Sequence, residues 1–200
     1  MNNYVYIVSS LPVLLADLKP GAALDSEELI TGIKDQCSER DRATIDFLLE
    51  GFEPERLDRD FYLKALAHPS RFIRGYFGFD LDVRNARAAF LNKALERAEG
   101  LDLITLGEEP REAEDPARIA AILACDDILE REKSLDLLMW EKADSLTIFD
   151  YFDLDLILAF IAKLRIASRW AALDEKTGRE MFRKLTEDVR ATFKGVEFDS

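Results

Sequence analysis

The sequence predicts an all-α protein, a multi-helix bundle, from three observations. Only 9 glycines and 6 prolines interrupt the 200 residues, so long segments run without a helix breaker. Between the breakers, apolar residues recur three and four positions apart, which is the spacing of one helix face. The tetrapeptide Phe-Asp-Leu-Asp occurs at Phe79–Asp82 and again at Phe152–Asp155, each time before such a pattern. This repetition predicts two pseudo-repeated helical units within the bundle.

The two copies of the tetrapeptide extend into longer segments that can be aligned. Segments 79–97 and 152–170 share further small and apolar residues, which are Ala86/Ala159, Ala89/Ala162, Leu91/Leu164 and Ala94/Ala167. A duplicated unit would use these positions for the same packing face, so we expect them to face the core. A chance likeness between two amphipathic helices with acidic starts is the alternative.

The N-terminal half contains several short helical patterns. Residues Tyr4–Val8 are β-branched and aromatic, which favours a strand, but so short a run is also compatible with the start of a buried helix. The segment Asp25–Glu28 is a predicted helix start, with a capping side chain and acids in the first turn, and Ser38 is the predicted N-cap of the next helix. A short helix is expected around Phe61–Ala67, and it ends at His68 because a residue before proline is disfavoured in a helix. We expect His68 to be a surface or turn residue.

The first repeat helix is expected to begin at about Asp82 and to end near Ala98. A separate helical piece is expected at 70–77, ahead of that helix. Gly75 and Gly78 lower the helix propensity of this region, so a break is expected before the repeat.

The acidic segment 101–116 is the predicted linker, because it combines glycine and proline with several acidic residues. It divides the chain into an N-terminal helical unit at 1–100 and a C-terminal helical unit at 117–200. Helices are expected to resume at Pro116, since proline is favoured in the first turn of a helix.

The second repeat helix is expected from about Asp153 to Leu173. Its first half is apolar on nearly every side, which predicts a central position in the bundle. A last helix is expected after the capping box at Thr177–Glu180.

The formal net charge of −13 disfavours nucleic acid and anionic lipid surfaces as partners. A basic protein surface is the better candidate, while plain solubility is the alternative reading of the same charge. The longest apolar run, near 154–162, is too short to cross a bilayer, and no basic signal segment precedes Tyr4–Val8. Cys37 and Cys125 are expected as buried free thiols, which fits a reducing compartment. We therefore expect a cytoplasmic protein without a membrane span.

The sequence carries no signature of catalysis. It contains neither G-x-x-x-x-G-K-[ST] nor G-x-G-x-x-G, so nucleotide binding is not indicated. The single histidine, His68, excludes a His-based metal cluster. The stretch Asp80–Leu91 has acids spaced as in a calcium loop but lacks its glycine and its final glutamate. We therefore expect no catalytic residue, no metal and no cofactor, and a protein that is not an enzyme.

Basic residues flank both repeats despite the acidic composition. They are Arg71, Arg74, Arg84, Arg87 and Lys93 at the first repeat, and Lys163, Arg165, Arg169 and Lys176 at the second. Ion pairing within the fold is the expected role of most of them, and basic strips that face a partner are the alternative.

The same two segments resemble the C/d family of V-type ATPase central-stalk subunits. The first resembles a repeated helix of that family through Asp82, Asn85, Arg87 and Leu91. The second resembles the C-terminal helix of the family through Leu158, Phe160, Lys163, Arg165 and Arg169. The N-terminal segment Tyr4–Leu14 resembles a bacterial family of unknown function that is encoded among V-type ATP synthase subunits.

This resemblance implies a fold like that of the C/d family and a non-catalytic subunit or accessory protein of a V-type ATP synthase. Such a protein would couple the central rotor stalk to the membrane ring, with rotor and membrane-ring subunits as partners. It would be cytoplasmic, and peripheral at the inner membrane through the complex. The implied interface consists of Asp80, Asp82, Asn85, Arg87, Lys163, Arg165 and Arg169.

The chain also departs from the C/d family. It is shorter and has two repeats rather than three, and the second repeat has Leu158 and Phe160 where the first has Asn85 and Arg87. Two other classes of protein fit the same sequence. One is an all-α small-molecule-binding protein or enzyme of unknown reaction, which the scarcity of histidine and glycine motifs disfavours. The other is a free-standing acidic adaptor.

Overall fold

The computed structural model describes residues 4–18, 25–107, 112–149 and 152–173. These residues form eight α-helices and one short 3₁₀ turn, at Pro54–Arg56, and no strand occurs among them. The helices are α1 Val5–Ser10, α2 Ser26–Asp35, α3 Glu39–Glu50, α4 Arg59–Leu66, α5 Arg71–Ala94, α6 Pro116–Leu123, α7 Ile128–Ser145 and α8 Leu154–Ala171. The all-α prediction is confirmed. The predicted last helix and its capping box at Thr177–Glu180 lie outside the described residues.

Capping side chains set the start of most helices. Each accepts a hydrogen bond from a backbone N–H of the first turn, which would otherwise have no partner in the helix. The caps are Asp25 for α2, Ser38 for α3, Asp58 for α4, Ser70 for α5, Asp127 for α7 and Asp153 for α8. The predicted helix start at Asp25–Glu28, the predicted cap Ser38 and the predicted start at Pro116 are therefore confirmed.

The segment Tyr4–Val8 enters helix α1 rather than a strand. The backbone N–H of Tyr4 donates to the carbonyl oxygen of Phe152 at 2.7 Å, and the Tyr4 hydroxyl donates to the carboxylate of Asp41. These contacts join the start of α1 to α3 and to the residues before α8. The segment is thus a helix start, as the alternative had it, but it is only partly buried, because Tyr4 and Ile7 are buried while Val5 and Tyr6 are exposed.

Helix α8 lies at the centre of the core, as its apolar composition predicts. Ile157, Leu158, Ile161 and Leu164 are fully buried along it. One hydrophobic cluster contains the buried apolar side chains, the first of which is Tyr4 and the last Trp170. It includes side chains from both sides of segment 101–116. The division of the chain into two units stays a prediction.

The first repeat helix differs from its prediction. Helix α5 begins at Arg71, so the expected break before Asp82 is wrong. Gly75 and Gly78 do not end the helix, because its N-terminal half packs in the core and tertiary packing outweighs a weak local propensity. The helix ends at Ala94 rather than near Ala98.

The two copies of the tetrapeptide hold different positions in their helices. Asp80 and Asp82 lie in the middle of α5, whereas Asp153 is the N-cap of α8 and Asp155 is in its first turn. The aligned small residues do not share a burial pattern either, since Ala89, Leu91 and Ala94 are exposed while Ala162 and Leu164 are buried. The expectation that both copies use one packing face is wrong for the first copy, and a pseudo-repeat like that of the C/d family is not confirmed.

The two cysteines are both free thiols, as expected. Cys37 is buried, and burial raises the pKa of its thiol, with a further rise from the nearby Asp41 carboxylate. Cys125 is only half-buried, so its expected full burial is wrong.

His68 lies in the turn between α4 and α5, in agreement with its prediction as a turn residue. Its Nδ1 accepts a hydrogen bond from the backbone N–H of Ser70 at 3.1 Å, and its ring stacks on Phe47 with centroids 5.0 Å apart. Burial, followed by the charge of Arg74, lowers the pKa of His68 from its ordinary value of 6.5. The folded protein therefore favours the neutral imidazole.

We expect His68→Gln to flatten the dependence of the melting temperature on pH around and below about pH 6.5, the ordinary pKa of histidine. In that range the unfolded chain binds the proton more readily than the folded one. The free energy of unfolding therefore decreases as the pH falls below about 6.5. His68 is the only histidine, and the carboxylates are common to both proteins, so the difference between the two curves belongs to this residue. Parallel curves in differential scanning calorimetry would contradict the expectation.

Candidate functional site

A cavity of about 640 Å³ lies between the end of α3, the turn after it, α5, α7 and α8. Small-molecule sites have volumes of this order. Its polar lining consists of Glu53 from the turn after α3, Tyr76, Asp80 and Arg84 from α5, Asp136 from α7, and Arg165, Ser168 and Arg169 from α8. Its apolar lining includes Leu49, Phe52, Leu57, Phe77, Met139 and Ile166. The cavity thus combines charged groups with an apolar wall.

The carboxylate of Asp80 is held between a tyrosine and an arginine. Tyr62 on α4 donates its hydroxyl to Asp80 Oδ2 at 2.5 Å, and Arg84, one turn along α5, places Nε 3.7 Å from the same oxygen. Burial raises the pKa of Asp80, while the Tyr62 hydroxyl and the Arg84 charge oppose that rise. Burial and the Asp80 carboxylate in turn raise the pKa of Tyr62, so the hydroxyl keeps its proton and remains a donor.

A second carboxylate, Asp136, joins α7 to the end of α8. Its Oδ2 accepts hydrogen bonds from Arg169 Nη2 and from the indole Nε1 of Trp170, the latter at 2.5 Å. Asp136 and Trp170 are buried, whereas the Arg169 side chain is largely exposed. The buried indole N–H therefore depends on this carboxylate for its partner.

Three residues that line the cavity each carry a buried polar atom with no hydrogen-bond partner among the described residues. These atoms are Arg84 Nε, Arg165 Nε and Ser168 Oγ. A different atom of Arg165, Nη1, donates to Glu27 Oε1 of α2 at 2.6 Å, and Glu27 is not part of the cavity lining. A buried donor without a partner costs about 1–3 kcal/mol, so three of them around one cavity are an unusual feature.

The seven interface residues expected from the sequence are divided between this cavity and other places. Asp80, Arg165 and Arg169 line the cavity. Asp82 and Asn85, also on α5, hold the segment between α5 and α6. The Asn85 amide donates to Ile104 O at 3.0 Å and accepts from Ile104 N at 2.9 Å, and Asp82 accepts from the backbone N–H of Glu114 at 3.0 Å.

Arg87 and Lys163 form ion pairs with α7. Arg87 Nη2 lies 2.9 Å from Glu132 Oε1. Lys163 Nζ lies 2.7 Å from Asp144 Oδ1 and 5.6 Å from the centroid of the Trp140 ring. All seven residues thus have contacts inside the fold. A role for any of them in a protein interface stays a prediction.

Sequence reasoning did not identify the cavity, because its lining comes from distant parts of the chain. The predicted site residues included neither Asp136 nor Ser168. A local signal does exist, since Tyr76, Asp80 and Arg84 follow one another at intervals of four along one face of α5. Asp136 is a charged residue between the apolar positions of α7, and a buried charge in such a stripe is informative.

The described residues show neither a metal centre nor a membrane helix. No three potential metal-ligating side chains come together in that part of the chain. Among the same residues, every helix falls short of the length and apolar character that crossing a bilayer requires.

Comparison with known proteins gives one match. The family model described as "Protein of unknown function (DUF2764)" matches residues 104–192, which is less than half of the chain. No curated protein and no solved structure matches. The match gives no link to the C/d family of V-type ATPases, and it does not include the N-terminal segment Tyr4–Leu14 that carried the resemblance to a family of unknown function. Over residues 104–192, the chain is similar to a family whose function is unknown.

Proposed function

We propose that the protein is a non-catalytic subunit or accessory protein of a V-type ATP synthase, which couples the central rotor stalk to the membrane ring. The resemblance of the segments at 79–97 and 152–170 to the C/d family supplies the identity of the partner. The protein contributes an all-helical scaffold and an exposed apolar surface at one end of α1 and α8. That surface is the observation that carries the proposal.

We call it the α1/α8 surface, and it consists of Val5, Tyr6, Ile148, Phe149 and Phe152. Tyr6 is 80% exposed and Phe149 is 81% exposed. The hydrogen bond from Tyr4 N to Phe152 O, at 2.7 Å, brings the start of α1 next to the residues that precede α8. Val5 and Tyr6 directly follow Tyr4 in the chain, and Ile148 and Phe149 come four and three residues before Phe152. Exposed apolar patches often mark protein-binding surfaces, and aromatic residues are enriched among the residues that dominate the binding energy.

The charge of the protein restricts the kind of partner. With a formal net charge of −13, the chain repels phosphate-rich and other acidic surfaces. A basic protein surface with an apolar centre would complement both the charge and the α1/α8 surface. The seven polar residues at 80–87 and 163–169 are engaged inside the fold, so they contribute less to such an interface than exposed aromatic residues do.

We expect the double variant Tyr6→Ser and Phe149→Ser to retain the native helical spectrum and to lose binding to the rotor. The test is affinity purification of the protein from native membranes, followed by identification of V-type ATP synthase rotor and membrane-ring subunits. Removal of two aromatic anchors should lower their recovery by about tenfold or more. Both side chains are largely exposed, so the melting temperature should stay close to that of the unchanged protein.

A matched control is Ile128→Ser with Leu129→Ser. These two residues are also exposed apolar side chains, but they lie at the start of α7, away from the α1/α8 surface in the sequence. We expect this variant to recover the rotor subunits normally. If both variants lost the rotor subunits equally, the binding would depend on exposed apolar area in general, and not on the α1/α8 surface. Absence of every rotary ATPase subunit from the purified material would refute the proposal.

A further inference from the structure

We propose that the cavity between α3, α5, α7 and α8 binds a small organic anion, with an apolar body and one carboxylate or phosphate group. This site goes beyond the coupling role proposed above. It would bind its ligand whether or not the protein associates with a rotary ATP synthase. The inference rests on three features of the cavity.

The first feature is the set of buried atoms without partners. Arg84 Nε, Arg165 Nε and Ser168 Oγ belong to residues that line the cavity, and none of these atoms has a hydrogen-bond partner among the described residues. Arg84 Nε is 3.7 Å from Asp80 Oδ2, which is beyond hydrogen-bond distance. Buried polar atoms in native proteins nearly always have partners. A carboxylate or phosphate offers several acceptor oxygens to arginine N–H and serine hydroxyl donors such as these.

The second feature is the balance of charge in the lining. The lining contains three arginines, of which Arg84 pairs with Asp80 and Arg169 pairs with Asp136. The third arginine, Arg165, has no carboxylate partner in the lining, whose remaining acid is the exposed Glu53. Burial raises the pKa of Asp80, while the Tyr62 hydroxyl and the Arg84 charge oppose that rise. The partner of Arg165, Glu27, lies outside the lining and is mostly exposed. Arginine in such a site favours a planar or tetrahedral anion, which it binds through two parallel N–H groups.

The third feature is the apolar wall. Leu49, Phe52, Leu57, Met139 and Ile166 line the remainder of the cavity, and a bare inorganic ion would leave that surface unused. A volume of about 640 Å³ accommodates a ligand with an aromatic or branched apolar body. Both parts of the ligand therefore have counterparts in the lining.

The test uses phenyl phosphate and benzoate as probes, with inorganic phosphate and phenol as their separate halves. We expect isothermal titration calorimetry on the full chain to give a dissociation constant below about 1 mM for at least one aromatic anion. Each half alone should bind about tenfold more weakly or not at all. The preferred probe distinguishes a phosphate from a carboxylate ligand. No binding by either aromatic anion, or equal binding of phenol, would overturn the proposal.

Three variants assign the binding to the cavity. Ser168→Ala removes one hydroxyl group and Arg165→Met removes one guanidinium, and we expect each to weaken binding of the preferred probe about tenfold. Arg118→Met is the matched control, because Arg118 also forms a surface ion pair with a glutamate, Glu141, at 2.6 Å but does not line this cavity. It should bind the probe like the unchanged protein. Equal weakening by Arg118→Met, or unchanged binding by Ser168→Ala and Arg165→Met, would contradict the assignment.

Binding of the anionic probe and binding of the rotor can be lost separately. Ser168→Ala leaves the α1/α8 surface unchanged, so recovery of rotor subunits should be unaffected by it. Conversely, the Tyr6→Ser and Phe149→Ser variant should bind the anionic probe normally. Loss of one property without the other shows that the two sites act independently.

Discussion

Leu164→Ala is expected to lower the free energy of unfolding by about 2–5 kcal/mol, whereas Leu91→Ala should change it by less than about 1 kcal/mol. The two leucines occupy matching positions in the two copies of the repeated segment. Leu164 is 0% exposed at the centre of the core, while Leu91 is 47% exposed near the end of α5. Truncation of Leu164 therefore leaves a cavity among packed side chains, and truncation of Leu91 mainly exposes more of a surface that water already reaches.

The measurement is urea unfolding followed by circular dichroism at the helical band, with both variants compared with the unchanged protein. Substitution of an exposed leucine by alanine also favours the helix slightly, so a small effect is expected for Leu91→Ala in either direction. If the two substitutions destabilised the protein equally, both leucines would be core residues, and the two copies would have equivalent packing faces after all.

Local signals in the sequence predict the helices well. Side chains that accept a hydrogen bond from the first turn mark a helix start whatever the remainder of the chain does, so Asp25 and Ser38 can be recognised directly. The apolar character of α8 likewise predicts its central position. Such signals depend on a few neighbouring residues, and those are visible in the sequence.

Features that depend on packing are predicted less well. The acids of the tetrapeptide at 79–82 indicate a helix start, because acids favour that position, but the burial of Phe72, Ile73 and Phe77 keeps α5 helical through two glycines. Those acids then serve other purposes inside the fold. Asp80 accepts a hydrogen bond from Tyr62 on α4, and Asp82 accepts one from the backbone before α6. No local pattern could have indicated these long-range partners.

The candidate site also depends on packing, so local patterns in the sequence do not predict it. The resemblance to the C/d family implies roles for Asp80, Arg165 and Arg169, and these three residues do meet at one cavity. The reason they meet is the packing of α5, α7 and α8 around Asp136, a residue that the resemblance does not include. The composition gives a net charge of −13, but it cannot indicate that three arginines line one cavity.

Gly51, directly after α3, is a further position where packing decides the outcome. A methyl group added there would collide with the ring of Phe77 and would lie 2.8 Å from Cζ of Phe61. Both rings are buried, and they pack edge to face with centroids 5.0 Å apart. Neither can move without disturbing the other, and Phe47 stacks on Phe61 from a further side. The space beside Gly51 is therefore closed by rigid groups.

We expect Gly51→Ala to lower the free energy of unfolding by about 1–3 kcal/mol, because overpacking forces side chains and backbone out of their preferred positions. Gly32→Ala is the matched control. Gly32 lies inside α2, and no described atom outside its own helix lies within 4 Å of an added methyl group there. That substitution should stabilise the protein by up to about 1 kcal/mol, since alanine is the better helix former. Thermal unfolding of both variants measures the difference, and a melting temperature for Gly51→Ala equal to or above that of Gly32→Ala would show that the aromatic cluster can open to admit the methyl group.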